Sequence, residues 1–206
     1  MNLLLTAFEP FGGEARNASL EVLRALPDRV GALEIEKRCL PVSFDRAPAL
    51  AGEAAERLRP DAIVLLGQAG GRGCITPERT AVNRMDAAGP DNDGRQPRGL
   101  PVVSGGPASY ASTLPVEAMT AAMRRAGVPA RLSDSAGTYV CNCLMYAMLH
   151  RTRLRSADVP CGFLHIPYLE HQLRRDGVPA LPMDAAVSGI TAALQALEAY
   201  LTEKKP

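Results

Sequence analysis

The chain has 206 residues, of which 47% are hydrophobic, and its 23 basic and 22 acidic side chains leave a net charge of +1. This length and apolar content fit a single folded domain over residues 1–206 and exclude a disordered chain. The charges form no basic stripe, so neither nucleic acid nor an anionic membrane is an expected partner.

The N-terminal run Met-Asn-Leu-Leu-Leu-Thr-Ala has no basic residue before its short apolar stretch, so no secretory signal is expected. The longest uncharged stretch, residues 99–116, contains three prolines and three glycines and cannot form a membrane-spanning helix. We therefore expect a soluble cytoplasmic protein. Its five cysteines are odd in number and show no Cys-x-x-Cys spacing, which argues against a disulfide framework or a zinc site.

Short apolar runs alternate with helical patterns along the chain. Strands are predicted at residues 3–7, 33–40, 62–66 and 161–166, and helices at 18–25, 44–58, 115–126, 141–153 and 184–203. The run at 62–66 is apolar throughout, as in a strand that is covered on both faces. This alternation predicts an α/β fold, a three-layer α/β/α sandwich around a twisted, mostly parallel sheet. In such a fold, functional side chains gather on loops that follow the carboxyl ends of the strands.

The first candidate for chemistry is Cys141, which follows Ser-Ala-Gly-Thr-Tyr-Val at the start of a predicted helix. The helix dipole and the free backbone N–H groups stabilise a thiolate there, so we expect a lowered pKa and a nucleophile. The same N–H groups could hold an oxyanion. Cys143 points away from Cys141 and is the better core cysteine. Inert packing of Cys141 itself stays open, since burial is the commonest fate of a free thiol.

A cysteine nucleophile needs a base, and the chain offers His150, His165 and His171. We expect His150 to cap helix carbonyls and His171 to be solvated. His165 interrupts an apolar run at a predicted strand end, where a buried imidazole needs a partner or a task. It is either the base or a hydrogen-bonded core histidine. Glu78 can orient an imidazole and stabilise its cation, or it can be an exposed loop carboxylate.

Two further loops carry features of ligand binding. Phe8 and Phe11 lie in a glycine-rich loop, where aromatic rings can clamp a flat, neutral ligand or fill the gap between the loop and the core. The glycine-rich run at 67–73 has the position of a phosphate-binding loop. It lacks Gly-Lys-Ser/Thr and the dinucleotide spacing, so support for a nucleotide site is weak.

Together these segments resemble the pyroglutamyl peptidase I (pyrrolidone carboxyl peptidase) family of cysteine peptidases. The resemblance covers nearly the whole chain and lies in Leu-Thr-Ala-Phe-Glu-Pro-Phe-Gly-Gly (5–13), Gly-Gln-Ala-Gly-Gly-Arg (67–72), Pro-Glu-Arg with the following Ala and Asn (77–83), Gly-Pro-Asp-Asn-Asp-Gly (89–94), Ser-Thr-Leu-Pro (112–115), Ser-Ala-Gly-Thr-Tyr-Val-Cys-Asn (135–142) and His-Ile-Pro-Tyr (165–168).

The resemblance implies a cysteine exopeptidase that hydrolyses the N-terminal pyroglutamyl residue from peptides and proteins through a thioester intermediate. The site residues that it implies are the triad Cys141, His165 and Glu78, the ring-binding Phe8, Phe11 and Tyr139, and the polar Gln68 and Asn17. It also implies a homotetramer that needs no metal or cofactor.

One departure from the family pattern concerns charge. An arginine linked to the family's active site is replaced here by Ala88, and our hypothesis is that Arg84 or Arg72 supplies the missing positive charge. Two other functions stay open from the residues: a non-catalytic protein of the same fold that binds a small lactam, and a nucleoside- or phosphate-binding enzyme that only fold analogy supports.

Overall fold

The computed structural model describes residues 1–154, 159–172 and 177–204. Its strands are β1 (Asn2–Phe8), β2 (Arg29–Val30), β3 (Leu33–Leu40), β4 (Ala62–Gln68), β5 (Thr76–Pro77), β6 (Thr80–Val82), β7 (Ser109–Ala111), β8 (Cys161–Ile166), β9 (Tyr168–Leu169) and β10 (Ala180–Leu181). Its α-helices are α1 (Ala18–Ala25), α2 (Arg46–Leu58), α3 (Val116–Arg125), α4 (Val140–Leu154) and α5 (Met183–Lys204). A 3₁₀ turn, Glu170–Gln172, follows β9. Every predicted strand and helix is present, and the short strands β2, β5, β6, β7, β9 and β10 are additional.

Six strands form the main sheet in the order β2-β3-β1-β4-β8-β5. The four inner strands are parallel, whereas β2 and β5 pair antiparallel at the two edges. Residues of β4 and β8 are buried along their whole length, as their continuous apolarity predicts for strands covered on both faces. The predicted mostly parallel sheet is therefore confirmed.

Side chains alternate between the two faces of the sheet along each strand, so apolar residues project from both faces. Helices cover both faces and bury these residues. Leu3 and Leu5 pack with apolar residues of α1, α3 and α5 in one core cluster. Leu4 lies in a second cluster, with residues of α2 and α4. Each cluster lies between the sheet and the helices on one of its faces, so the predicted α/β/α sandwich is confirmed.

Chain order determines where a site can form. From β1 the chain passes through α1 to β3 on one side, and later through α2 to β4 on the other side. Such a reversal opens a crevice at the carboxyl ends of the strands. Phe8, Gln68 and Ile166 end the three central strands β1, β4 and β8 at this edge. None of the helices in the described residues combines the length and the apolarity needed to cross a membrane.

Candidate active site

Cys141 lies in the first turn of α4, directly after a turn that hydrogen bonds hold in place. Gly137 adopts φ +82, a left-handed conformation that glycine reaches without strain. Its N–H donates to Ser135 Oγ at 3.1 Å, and Thr138 Oγ1 donates to the carbonyl oxygen of Asp86 at 2.7 Å. These contacts fix the point at which α4 begins and hence the position of Cys141.

The two cysteines of α4 have different surroundings. Cys143 is 2% exposed, and its Sγ lies 3.5 Å from the carbonyl oxygen of Phe44 and 3.7 Å from Sδ of Met85. Cys141 is half-buried. The prediction that Cys143 is the core cysteine is confirmed. Within the ranges that the structure describes, no group of three or more His, Cys, Asp or Glu side chains could hold a metal ion.

The sulfur of Cys141 is turned inward onto the sheet, above Gly67 of β4. A Cβ atom built on Gly67 would lie 3.0 Å from Cys141 Sγ and 2.6 Å from the Phe163 ring, so only glycine leaves room for both groups. His165 of β8 is the register partner of Gly67. Paired residues of neighbouring strands lie about 4.8 Å apart and point to the same face. The fold therefore brings the imidazole to the same face of the sheet as the thiol, one strand away.

Glu78 meets His165 from the edge strand. β5 pairs Thr76 with His165, and Glu78 follows β5 with its N–H donating to the carbonyl oxygen of Phe163 at 2.8 Å. The Glu78 side chain is fully buried, and its Oε1 lies 2.7 Å from His165 Nδ1. An ionised carboxylate can only accept, so Nδ1 carries the proton and Nε2 is left as the basic nitrogen. The alternative of an exposed loop carboxylate is excluded.

The charges of these three groups follow from burial and from Arg72. Burial, together with the charge of Glu78, raises the pKa of the Cys141 thiol to about 12, while Arg72 acts in the opposite direction. Burial also lowers the pKa of His165 against the effect of Glu78. Burial alone would raise the pKa of Glu78, but the hydrogen bond and charge of His165, together with Arg72, outweigh it and lower this pKa. At neutral pH the site holds a thiol, a neutral imidazole and a carboxylate.

The expected lowering of the Cys141 pKa is therefore wrong. The N-terminus of α4 does favour a thiolate at this position. Enclosure of the sulfur against the sheet disfavours the charged form more strongly.

Aromatic rings surround the start of α4. The ring of Tyr139 lies 6.3 Å from that of Phe11 and 5.3 Å from that of Phe44, which it meets edge to face. Tyr139 also donates a hydrogen bond from its hydroxyl to the carbonyl oxygen of Pro90 at 2.8 Å. Phe8 is 2% exposed and packs 6.4 Å from Phe163, deeper in the core. Sequence reasoning missed Phe44, although its place after the carboxyl end of β3 was a usable signal.

The polar residues Gln68 and Asn17 hold the loop between β1 and α1. Asn17 caps α1, accepting from Ser19 N–H at 3.0 Å, and its Nδ2 donates to the carbonyl oxygen of Glu9 at 2.9 Å. Gln68 Oε1 accepts from the N–H of Ala18 at 2.7 Å, and Gln68 Nε2 donates to Glu14 Oε2 at 3.1 Å. Both side chains thus form hydrogen bonds with other residues of the chain that hold this loop in place.

The two remaining histidines lie in other surroundings. His150 Nδ1 lies 2.8 Å from the hydroxyl of Tyr110, and its ring stacks on Tyr146. This aromatic contact replaces the expected cap of helix carbonyls. His171 is an exposed residue hydrogen-bonded to Glu21, so its expected place at the surface is confirmed.

A sequence model with the description Pyroglutamyl peptidase matches residues 1–200. The chain belongs to the pyroglutamyl peptidase family. A pyrrolidone-carboxylate peptidase of Thermococcus onnurineus is 42% identical over 187 residues, which are 91% of this chain and 94% of the relative. One of Levilactobacillus brevis is 42% identical over 198 residues, 96% of this chain and 97% of the relative. The crystal structure of Bacillus amyloliquefaciens pyroglutamyl peptidase I matches with a TM-score of 0.93 and 37% identity, over 97% of this chain and 98% of that one.

In this pyroglutamyl peptidase the two arginines considered for the missing charge lie in different places. Arg84 is exposed and pairs with Asp86, with Nη2 2.6 Å from Oδ2. Arg72 leaves the glycine-rich loop toward the site, and its Nη1 lies 2.6 Å from Glu78 Oε1. Only Arg72 of the two is therefore in contact with the residues predicted to be the triad.

Proposed function

We propose that this member of the pyroglutamyl peptidase family hydrolyses the amide bond that follows an N-terminal pyroglutamyl residue, with Cys141 as nucleophile, His165 as base and Glu78 as the residue that orients His165. The observation that carries the proposal is the placement of the Cys141 sulfur over Gly67, the register partner of His165, while His165 Nδ1 lies 2.7 Å from Glu78. Nucleophile, base and orienting carboxylate then follow one another across the sheet.

The first step starts from neutral groups. The pKa of Cys141 is raised and that of His165 is lowered, so the thiol transfers its proton to His165 Nε2 as the sulfur attacks the pyroglutamyl carbonyl carbon. Glu78 stabilises the imidazolium that forms. Because α4 begins at Val140, the N–H groups of Val140 and Cys141 have no helix carbonyl to bind and can donate to the oxyanion.

Attack of the sulfur forms a tetrahedral intermediate, and its collapse breaks the amide bond. The imidazolium of His165 gives its proton to the leaving amine, and pyroglutamate stays bound to Cys141 as a thioester. Water then attacks the thioester, with His165 accepting its proton and later returning it to the sulfur. Free pyroglutamate leaves, and the neutral thiol and imidazole are restored.

Selectivity for the closed ring is a matter of charge. Pyroglutamate is an uncharged lactam. We propose that Phe11 and Tyr139, with Phe44 behind them, form the apolar walls around it, and that Phe8 supports these walls. Gln68 and Asn17 shape the loop that faces its polar edge. An open N-terminal glutamine would bring an ammonium group to the same place. Desolvating that charge without a partner is costly, so the open form is disfavoured.

A pair of chromogenic amides tests this function. We expect the protein to release the chromophore and free pyroglutamate from a pyroglutamyl amide. We expect it to cleave the matching glutaminyl amide more slowly, by about 100-fold or a larger factor. The readouts are absorbance and chromatography of the released acid. A protein that binds pyroglutamate in calorimetry but releases no chromophore would be the non-catalytic lactam binder, and the proposal would be wrong.

The proposal extends to assembly, location and domain organisation. We propose a homotetramer because the resemblance to the family implies one, and light scattering would measure the assembly directly. The cysteines of the described residues are free, which supports a reducing, cytoplasmic location. A family match over residues 1–200 supports a single peptidase domain.

A further inference from the structure

One cation lies against the orienting carboxylate, and the steps of the reaction proposed above do not use it. Arg72 Nη1 lies 2.6 Å from Glu78 Oε1 and also donates to Thr76 Oγ1. The Arg72 side chain is 26% exposed, whereas Glu78 is 0% exposed. Since His165 Nδ1 lies 2.7 Å from the same Oε1, this single oxygen is in contact with both the guanidinium and the imidazole.

The route of the chain brings Arg72 to this place. The loop after β4 turns back at Gly71, which has φ +84, and the N–H of Arg72 donates to the carbonyl oxygen of Ala69 at 3.4 Å. β5 then runs antiparallel to β8 and carries Thr76 beside His165. The Arg72 side chain thus contacts a carboxylate that lies six positions further along the chain, just after β5.

We infer that Arg72 is a positioning residue of the pyroglutamyl peptidase reaction, which keeps Glu78 ionised and holds its Oε1 against His165. This inference rests on the proposed function of Glu78 and His165. A fully buried carboxylate without a cation beside it would take up a proton or turn toward another donor. Either change would remove the acceptor that fixes the His165 tautomer and stabilises its cation.

The charge of Arg72 has a second effect that an experiment can separate from packing. The charged groups that act on His165 are Glu78 and Arg72, and Cys141 is the titratable group on the facing helix. Arg72 lowers the pKa of His165 and that of Cys141. Glu78 raises the pKa of His165 more strongly than Arg72 lowers it. Once Glu78 is neutral or turned away, His165 therefore binds a proton only at lower pH. The acid limb of kcat/KM therefore moves to lower pH, while kcat at neutral pH falls because the His165 tautomer and its cation are no longer supported.

The test compares Arg72→Met with Arg72→Lys in the full chain, by pH profiles of kcat and kcat/KM on a pyroglutamyl amide. For Arg72→Met we expect kcat/KM at pH 7 to fall about 10- to 100-fold, as for loss of a charge-assisted hydrogen bond. We expect this loss mainly in kcat, with the acid limb moved to lower pH. Arg72→Lys keeps the charge and should return the acid limb to its original pH. Arg29→Met, at an exposed ion pair with Glu34 on the opposite sheet edge, is the matched control and should leave the profile unchanged.

Melting temperatures separate positioning from folding. If Arg72→Met loses activity only in proportion to its loss of folded protein, with the acid limb in place, the inference is wrong. If Arg72→Met does not fold, Arg72→Gln is measured in its place. The same shift of the acid limb is expected, and an acid limb left in place at full folding contradicts the inference. Failure of the proposed function looks different, because the unmodified protein would then release no chromophore.

Discussion

Cys141→Ala is expected to lower kcat/KM for a pyroglutamyl amide by about 10⁴- to 10⁶-fold, the range found when the nucleophile of a hydrolase is removed. The physical reason is that no thioester can form without the sulfur, and the remaining groups only bind and polarise the substrate. The fold should persist, because the alanine leaves α4 and the Gly67 contact without strain. Initial rates and a thermal melt of the purified variant measure both quantities.

Cys143→Ala is the matched control, two positions along the same helix. Its sulfur contacts the main-chain carbonyl oxygen of Phe44 and the sulfur of Met85, so kcat/KM should stay within about threefold. A small loss of stability is expected from the cavity that the substitution leaves. Substantial activity in Cys141→Ala, or loss of activity in Cys143→Ala at full folding, would assign the nucleophile to the wrong cysteine.

His165→Asn is expected to lower kcat/KM about as far as loss of the thiol, by about 10⁴- to 10⁶-fold, because the neutral thiol of Cys141 then has no base to take its proton. Glu78→Gln should cost less, about 10²- to 10⁴-fold, since the base is present but its tautomer and its cation are no longer supported. Steady-state kinetics at pH 7 give both losses.

Matched surface variants accompany these two. His171→Asn and Glu34→Gln make the same chemical changes at exposed side chains, and both should keep the original kcat/KM. Equal losses for His165→Asn and Glu78→Gln would contradict the orienting role and indicate that the carboxylate itself handles a proton in the reaction.

Long elements of this fold could be predicted because their patterns are strong. The apolar runs of β4 and β8 and the three- or four-residue spacing of Leu194, Leu197 and Leu201 in α5 are visible without coordinates. β5 could not be predicted in this way. It has two residues, too few for any periodicity, and it exists because β8 offers an unpaired edge. Yet this strand is what brings Glu78 to His165.

Features of the site that depend on distant parts of the chain were harder to predict. The raised pKa of Cys141 results from enclosure by β4 and β8, which a local argument about one helix terminus does not include. The reach of Arg72 depends on a loop conformation at Gly71. The hydrogen bonds of Gln68 to Ala18 and Glu14 connect residues about fifty positions apart. Residue type indicated a polar role for Gln68, but not that its partners are other protein groups.

The enclosed, protonated sulfur of Cys141 also has a consequence for chemical damage. Oxidants such as peroxide attack thiolates far faster than thiols, and the sulfenic acid that forms can oxidise further and irreversibly. With its pKa raised to about 12, the resting enzyme offers such reagents almost no anion at neutral pH. The sulfur becomes a strong nucleophile only while His165 is accepting its proton, which is when a substrate carbonyl is in place.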